Sequence, residues 1–172
     1  MDLAASKDIS VCFTGHRKIN GEDPADVSAK LDVVIERCIS KGYRRFIAGG
    51  AIGFDCLAAK RVIEAKKKYP AVKLWLILPC RDQTKLWTKL VDINEYRTLK
   101  ESADEIVYIQ NFYDDECMMK RNAYMIDNSS LCVAYFSGRR GGTANTVRYA
   151  EKKGVAVVNL FTKQRLAGKA GT

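Results

Sequence analysis

Six short, mainly apolar runs recur along the chain, and a polar or glycine-rich stretch follows nearly every one of them. The first run, ISVCF, covers residues 9–13. Such a run is typical of a strand covered on both faces, because a strand with one solvated face alternates between apolar and polar residues. Strands are therefore predicted over residues 9–13, 44–48, 72–78, 105–109, 131–136 and 155–160.

Between these runs, apolar residues recur at the spacing of a helix. Between the first two strands, Asp23 and Pro24 predict the N-cap and the first turn of a helix, and Gly42 predicts the C-terminal end of that helix. Four more helices are predicted over 54 to about 70, over 87–100, from a cap at 114 or 115 towards 127, and over 143–153.

The regular alternation of strands and helices indicates the fold class. Short links between alternating elements favour a parallel sheet with helices on both faces. We therefore predict a single three-layer α/β domain with a mostly parallel sheet over residues 1–161. Residues 162–172 are expected to form a loose C-terminal tail.

Composition narrows the class of protein. The 172 residues are 47% hydrophobic and 28% charged, which suits a globular chain with a buried core, and no window is apolar enough to span a membrane. The first ten residues lack the pattern of a signal peptide. Six cysteines without a CxxC pair, beside one histidine, argue against a zinc site and favour buried thiols in a reducing cytoplasm.

The net charge of +9 is open to two interpretations. It can attract phosphates or nucleic acid, or it can belong to solvated helix faces that keep the protein in solution. For the run AKKKYP at 65–70 the second interpretation is favoured.

The unusual residues follow the strands. TGHR occupies 14–17, GGAIGFD occupies 49–55 and SGRRGGT occupies 137–143. In an open parallel sheet the carboxyl ends of the strands form the edge where ligands bind. A glycine-rich turn that enters a helix brings backbone N–H groups close to an anion. Together with arginines at 17, 81, 139 and 140, the two glycine-rich turns predict a phosphorylated ligand.

The turns also allow a prediction about variants. Valine at Gly50 or Gly142 is expected to abolish binding of the ligand while leaving the fold intact.

Several single residues allow two interpretations. His16 suits either the capping of a backbone group or contact with a ligand. Asp55 suits either a helix N-terminus or the hydroxyls of a ribose. Arg121 and Asn122 lie in MMKRNAYM, where the methionines are predicted to be core, while Trp87 and Tyr96 are predicted to pack rather than to stack on a base. No nucleophile–base arrangement or carboxylate pair stands out, so no catalytic residue is predicted.

A set of motifs carries a resemblance to a known family. Over about residues 9–160 the motifs occur in this order: FTGHR, GGAIGFD, Q-x-x-x-W, MMKRNAYMIDNSS and GGTANTVRYA. Together they resemble the YpsA-like (DUF1273) family of the SLOG superfamily. The resemblance implies a Rossmann-like fold related to the DNA-processing protein DprA and to the LOG phosphoribohydrolases. It also implies a nucleotide or an NAD-derived ligand such as ADP-ribose.

The candidate ligand-binding residues come from these motifs. They are Thr14, Gly15, His16, Arg17, Gly49, Gly50, Ala51, Gly53, Asp55, Arg121, Asn122, Gly141, Gly142 and Thr143. LOG enzymes carry P-G-G-x-G-T-x-x-E, and aligning their G-T with Gly142 and Thr143 places Thr146 at the catalytic glutamate. This departure favours ligand binding, as a sensor or regulator, over catalysis.

Three other hypotheses stay open. The first is a nucleosidase or phosphoribohydrolase acting on a nucleotide. The second is a DNA-binding module of the DprA type, although the sequence has no stripe of basic residues interleaved with aromatics. The third is a scaffold with a vestigial cleft. Apart from the nucleotide no cofactor is expected, no metal site is predicted, and a homo-oligomer is possible.

Overall fold

The structure, a computed structural model, describes residues 6–19 and 21–162. Strands and helices alternate through these residues. The strands are β1 Ser10–Gly15, β2 Arg45–Ala48, β3 Lys73–Cys80, β4 Glu105–Gln110, β5 Leu131–Tyr135 and β6 Ala156–Asn159. The α-helices are α1 Pro24–Ser40, α2 Phe54–Lys68, α3 Leu90–Ser102, α4 Cys117–Asp127 and α5 Gly142–Lys152. Short 3-10 helices cover Lys7–Ile9 and Gln83–Leu86.

All six strands form one parallel sheet in the order β4-β3-β2-β1-β5-β6. The predicted α/β class with a parallel sheet is confirmed. Successive strands run outward from β1 to β4, and the chain then crosses to β5 on the other side of β1. The strand order therefore reverses between β1 and β5, where Gly15 is the register partner of Tyr135. Ligands of doubly wound sheets bind at such a reversal.

Two hydrophobic cores make the fold three-layered. Helices α1, α2 and α3 cover one face of the sheet, where Phe13 and Phe46 stack with ring centroids 6.3 Å apart. Helices α4 and α5 cover the other face, over Ile47 and Ile77. All six cysteines are buried and free, as predicted. No helix of the described chain has the length and apolarity needed to cross a bilayer.

Two predicted boundaries, the start of α3 and the end of β3, differ from the structure for physical reasons that the contacts show. The helix predicted from Trp87 begins at Leu90, because Trp87 is extended and its ring packs edge-on against Tyr96 at 5.3 Å. Strand β3 continues to Cys80 through Pro79. It is paired with β4 alone beyond Leu76, so a residue without an N–H is tolerated there. The tail predicted at 162–172 lies outside the described residues apart from its first position.

Candidate functional site

A crevice of about 280 Å³ lies at the carboxyl ends of the strands, beside the point where strand order reverses. The loops that follow β1, β2 and β5 converge on it, together with the first two turns of α4 and the first turn of α5. Eleven of the fourteen candidate residues line it, and Gly49, Gly50 and Gly53 do not. The eleven are Thr14, Gly15, His16, Arg17, Ala51, Asp55, Arg121, Asn122, Gly141, Gly142 and Thr143.

A buried ion pair forms the floor of the crevice. Asp55 and Arg121 are only 6% and 4% exposed, and Nη2 of Arg121 lies 3.9 Å from Oδ2 of Asp55. Arg121 also donates from Nη1 to the carbonyl oxygen of Gly49 and from Nε to Oδ1 of Asn122, at 2.8 Å. Burial raises the pKa of the Asp55 carboxyl above its usual value, and the cations of Arg121 and Arg17 offset only part of this effect.

Close contacts within the protein explain why positions 49 and 53 are glycines. A Cβ at Gly49 would overlap the Arg121 guanidinium and the Asp55 carboxylate, so the ion pair requires a glycine there. Gly53 has a φ of +90°, and a Cβ at this position would overlap the backbone carbonyl of Arg17. The first glycine-rich turn therefore serves close packing within the protein.

The N-terminus of α2, which follows this turn, is also hydrogen-bonded to the protein itself. The Phe54 N–H at the start of α2 donates to the carbonyl oxygen of His16 at 3.2 Å. Asp55 supplies a carboxylate in the first turn of α2, where negative charge is favoured. Gly15 lies under the same helix, because a Cβ there would overlap the side chain of Phe54.

A second cavity of about 280 Å³ lies on the far side of the same turn, between α2 and α3. Gly50 and Gly53 line it, together with the rings of Trp87 and Tyr96. Gly50 has a φ of +67°, and a Cβ there would lie 2.7 Å from the Leu78 side chain. The expectation that valine at Gly50 leaves the fold intact is therefore wrong, because the branched side chain would be strained and would clash.

The second glycine-rich turn differs, because it leaves the N-terminus of α5 open. Gly141 occupies the N-cap position and provides no side-chain cap. At Gly142 a Cβ would meet no other part of the described protein within 4 Å, and φ is not positive. Arg17, across the crevice, is exposed and has no hydrogen bond or ion pair to any described residue. The free N–H groups and a free guanidinium together suit an anion.

His16 joins the two halves of the sheet at the reversal point. Its Nε2 accepts the backbone N–H of Ser137 at 3.0 Å, and its own backbone N–H donates to the Tyr135 carbonyl at 3.3 Å. The predicted capping of a backbone group is therefore present, and the ring also lines the crevice, so contact with a ligand stays a prediction. Burial, followed by the charge of Arg139, lowers the pKa of His16 below its usual value.

This lowered pKa predicts a pH dependence of stability. Below about pH 6.5 the unfolded chain binds a proton at His16 more readily than the folded chain, so the stability from the neutral ring is lost as pH falls. A His16→Gln variant keeps an acceptor for the Ser137 N–H and cannot titrate. Between about pH 7.5 and pH 5.5, wild type should lose more unfolding free energy than the variant in urea titrations. Parallel losses would show that His16 titrates equally in both states.

Thr146, at the position of the LOG glutamate, does not line the crevice. It is 5% exposed, and its hydroxyl donates to the Gly142 carbonyl oxygen at 2.9 Å. Among the described residues that line the crevice, Asp55 is the one carboxylate. The crevice can hold a ligand by charge and hydrogen bonds. The Oγ of Ser137 lies 3.0 Å from Nε2 of His16, but Ser137 does not line the crevice.

Met118 is a lining residue that the sequence analysis missed. Its Sδ lies 3.9 Å from Nη2 of Arg121, one turn along α4. The prediction that the methionines of this segment are core holds for Met125 and is wrong for Met119, which is 62% exposed. The spacing of Met118 three and four residues before Arg121 and Asn122 is the signal that could have placed it on the same helix face.

Comparison with known proteins identifies the family. The model of the YspA SLOG family, YpsA, matches residues 12–160. The chain belongs to the YpsA family of SLOG proteins. The resemblance read from the motifs is thereby confirmed.

Two relatives agree with membership of the YpsA family. The uncharacterized SPbeta prophage-derived protein YoqJ of Bacillus subtilis is 36% identical over 136 residues, which cover 72% of this chain and 79% of YoqJ. A UPF0398 protein of Brevibacillus brevis is 28% identical over 131 residues, which cover 70% of this chain and 69% of the relative.

Two solved structures share the fold of this YpsA-family chain. DNA processing protein A from Helicobacter pylori, studied for its single-stranded DNA binding mode, superposes with a TM-score of 0.65 at 16% identity. The match covers 96% of this chain and 70% of that one. DprA from Streptococcus pneumoniae gives a TM-score of 0.64 at 14% identity, with 91% and 50% covered. The predicted Rossmann-like relation to DprA is thus confirmed at the level of fold.

Proposed function

We propose that the crevice binds a nucleotide or an NAD-derived ligand such as ADP-ribose, and that the protein acts as a sensor or regulator. The observation that carries this proposal is the open N-terminus of α5 at Gly142, opposite the unpaired guanidinium of Arg17. A phosphate placed there accepts backbone N–H groups and meets a bidentate cation.

The floor of the crevice supports a nucleotide in preference to a simple anion. Asp55 is a carboxylate that can accept hydroxyl donors, such as those of a ribose. Arg121 balances its charge at 3.9 Å, so the floor does not repel a phosphate bound nearby. A ligand that combines phosphate with sugar hydroxyls uses both features.

The direct test is calorimetric titration with ADP-ribose and AMP. Arg17→Ala should weaken binding about tenfold or more, because a hydrogen bond to a charged group contributes about 1.5–3 kcal/mol. Arg148→Ala is the matched control, since Arg148 is exposed on α5 and does not line the crevice. Equal affinities of the two variants would remove Arg17 from the site.

The ligand should remain intact when it is bound. Release of a base from a nucleoside monophosphate requires a carboxylate that stabilises the sugar cation or activates water, and Thr146 is a hydroxyl bonded to its own helix. Chromatography of AMP incubated with the protein should show no adenine. Catalytic release of adenine that is lost in Asp55→Asn would contradict the sensor proposal and assign the acid to Asp55.

DNA binding is the second candidate, favoured by the fold shared with DNA processing protein A and by the net charge of +9. If surface lysines provide the contacts to DNA, the protein should bind DNA weakly and without sequence preference. The affinity for DNA should fall steeply as the salt concentration rises, because such binding is driven by counterion release. Tight DNA binding that persists at physiological salt would promote this candidate over the nucleotide.

A further inference from the structure

A groove of about 610 Å³ between α4 and α5 adjoins the crevice. Met118, Asn122 and Gly142 line both spaces, so the groove and the crevice are continuous. A ligand whose phosphate lies at Gly142 therefore has a direct path into the groove.

The walls of the groove are mainly apolar and aromatic. Met118 and Met119 lie along α4 beside Ala123, and the ring of Tyr149 lies on α5. The Tyr149 hydroxyl donates to Asp127 at 2.9 Å, which holds the ring in place. Thioethers and a fixed ring make favourable contacts with the faces of a flat aromatic group.

Two amides supply hydrogen-bonding groups within these apolar walls. The Oδ1 of Asn122 accepts from Arg121, which leaves the amide nitrogen of Asn122 as a donor. The Asn145 side chain makes no hydrogen bond to any described residue and lines the same groove. An amide offers a donor and an acceptor side by side, which matches the polar edge of a nucleobase.

Resting on the proposed function, we propose that this groove holds the heterocyclic base of the ligand whose phosphate lies in the crevice. The faces of the base contact Met118, Met119 and the Tyr149 ring. Its polar edge pairs with the amides of Asn122 and Asn145. The ligand is therefore a nucleotide with an intact base, and a sugar phosphate alone fills only the crevice.

The cavity at Trp87 and Tyr96 is the competing place for a base. It shares Ala51 with the crevice and is separated from it by the turn at 49–53. Gly142, where the phosphate is placed, does not line that cavity. The shared lining at three positions, including Gly142, favours the groove between α4 and α5.

The test compares AMP with ribose 5-phosphate, which lacks the base. Wild type should bind AMP about tenfold or more tightly than ribose 5-phosphate, as expected for stacking of one base. Ala123→Leu fills the groove and should reduce AMP affinity to that of ribose 5-phosphate, with ribose 5-phosphate binding unchanged. Ala29→Leu, at an exposed position of α1, is the matched control. Asn145→Leu, at an exposed residue, gives a second variant with the same expected pattern.

Four results would overturn the assignment of the base to this groove. Equal affinity of wild type for the two ligands would mean that the base makes no contact. An equal loss for both ligands in Ala123→Leu and in Asn145→Leu would mean that neither groove residue contacts the base. A selective loss of AMP binding only in Trp87→Leu would move the base to the other cavity. If wild type bound neither ligand, the proposed function would fail together with the groove.

Discussion

Arg121→Met should lower the free energy of unfolding by about 3–5 kcal/mol, because it removes the ion-pair partner of the buried Asp55 carboxylate. The substitution also leaves the Gly49 carbonyl oxygen without its donor. A loss of this size is a large part of the roughly 5–15 kcal/mol that stabilises a typical domain. Urea unfolding followed by circular dichroism measures the loss.

Two further variants identify the cause of this loss. Lys120→Met removes a neighbouring charge from the same helix. Among the described residues Lys120 pairs with exposed Glu116 and Asp114, so its loss should cost about 1 kcal/mol or less. Asp55→Asn added to Arg121→Met should recover part of the stability, because no uncompensated charge then remains. A cost for Arg121→Met as small as that of Lys120→Met would show that the ion pair does not hold the floor together.

The order of strands and helices was predictable because parallel strands covered on both faces must be apolar almost throughout. Sequence patterns predict the ends of helices and strands less well. A helix pattern begins near Trp87, but the contact of Trp87 with Tyr96 keeps the chain extended until Leu90. Local spacing contains no information about such a contact.

The roles within the site depended on distant neighbours. The two glycine-rich turns look equivalent in sequence, yet the space beside Gly49 is filled by Arg121 and the space beside Gly142 is open. The role of His16 was left open between two interpretations, and its partner Ser137 lies 121 residues away. The groove between α4 and α5 exists only once the two helices have packed.

Gly142→Val should abolish most ligand binding without destabilising the protein. Nothing within the described chain occupies the space beside Gly142, and its φ suits any residue. Replacing glycine where the backbone allows it tends to stabilise a protein by about 0.4–1 kcal/mol, through the unfolded state. A valine there would nevertheless keep a phosphate from the N–H groups of α5. Losing two such bonds lowers affinity about 100-fold.

The proposed function requires that the uncapped N-terminus of α5 is kept bare for an anionic ligand. The most direct measurement is the affinity of Gly142→Val for ADP-ribose, by calorimetry, beside its unfolding free energy in urea. We expect an affinity about 100-fold below that of wild type, with stability equal or slightly higher. Undiminished affinity in the folded variant would contradict the claim, and Gly142 would then serve only the turn.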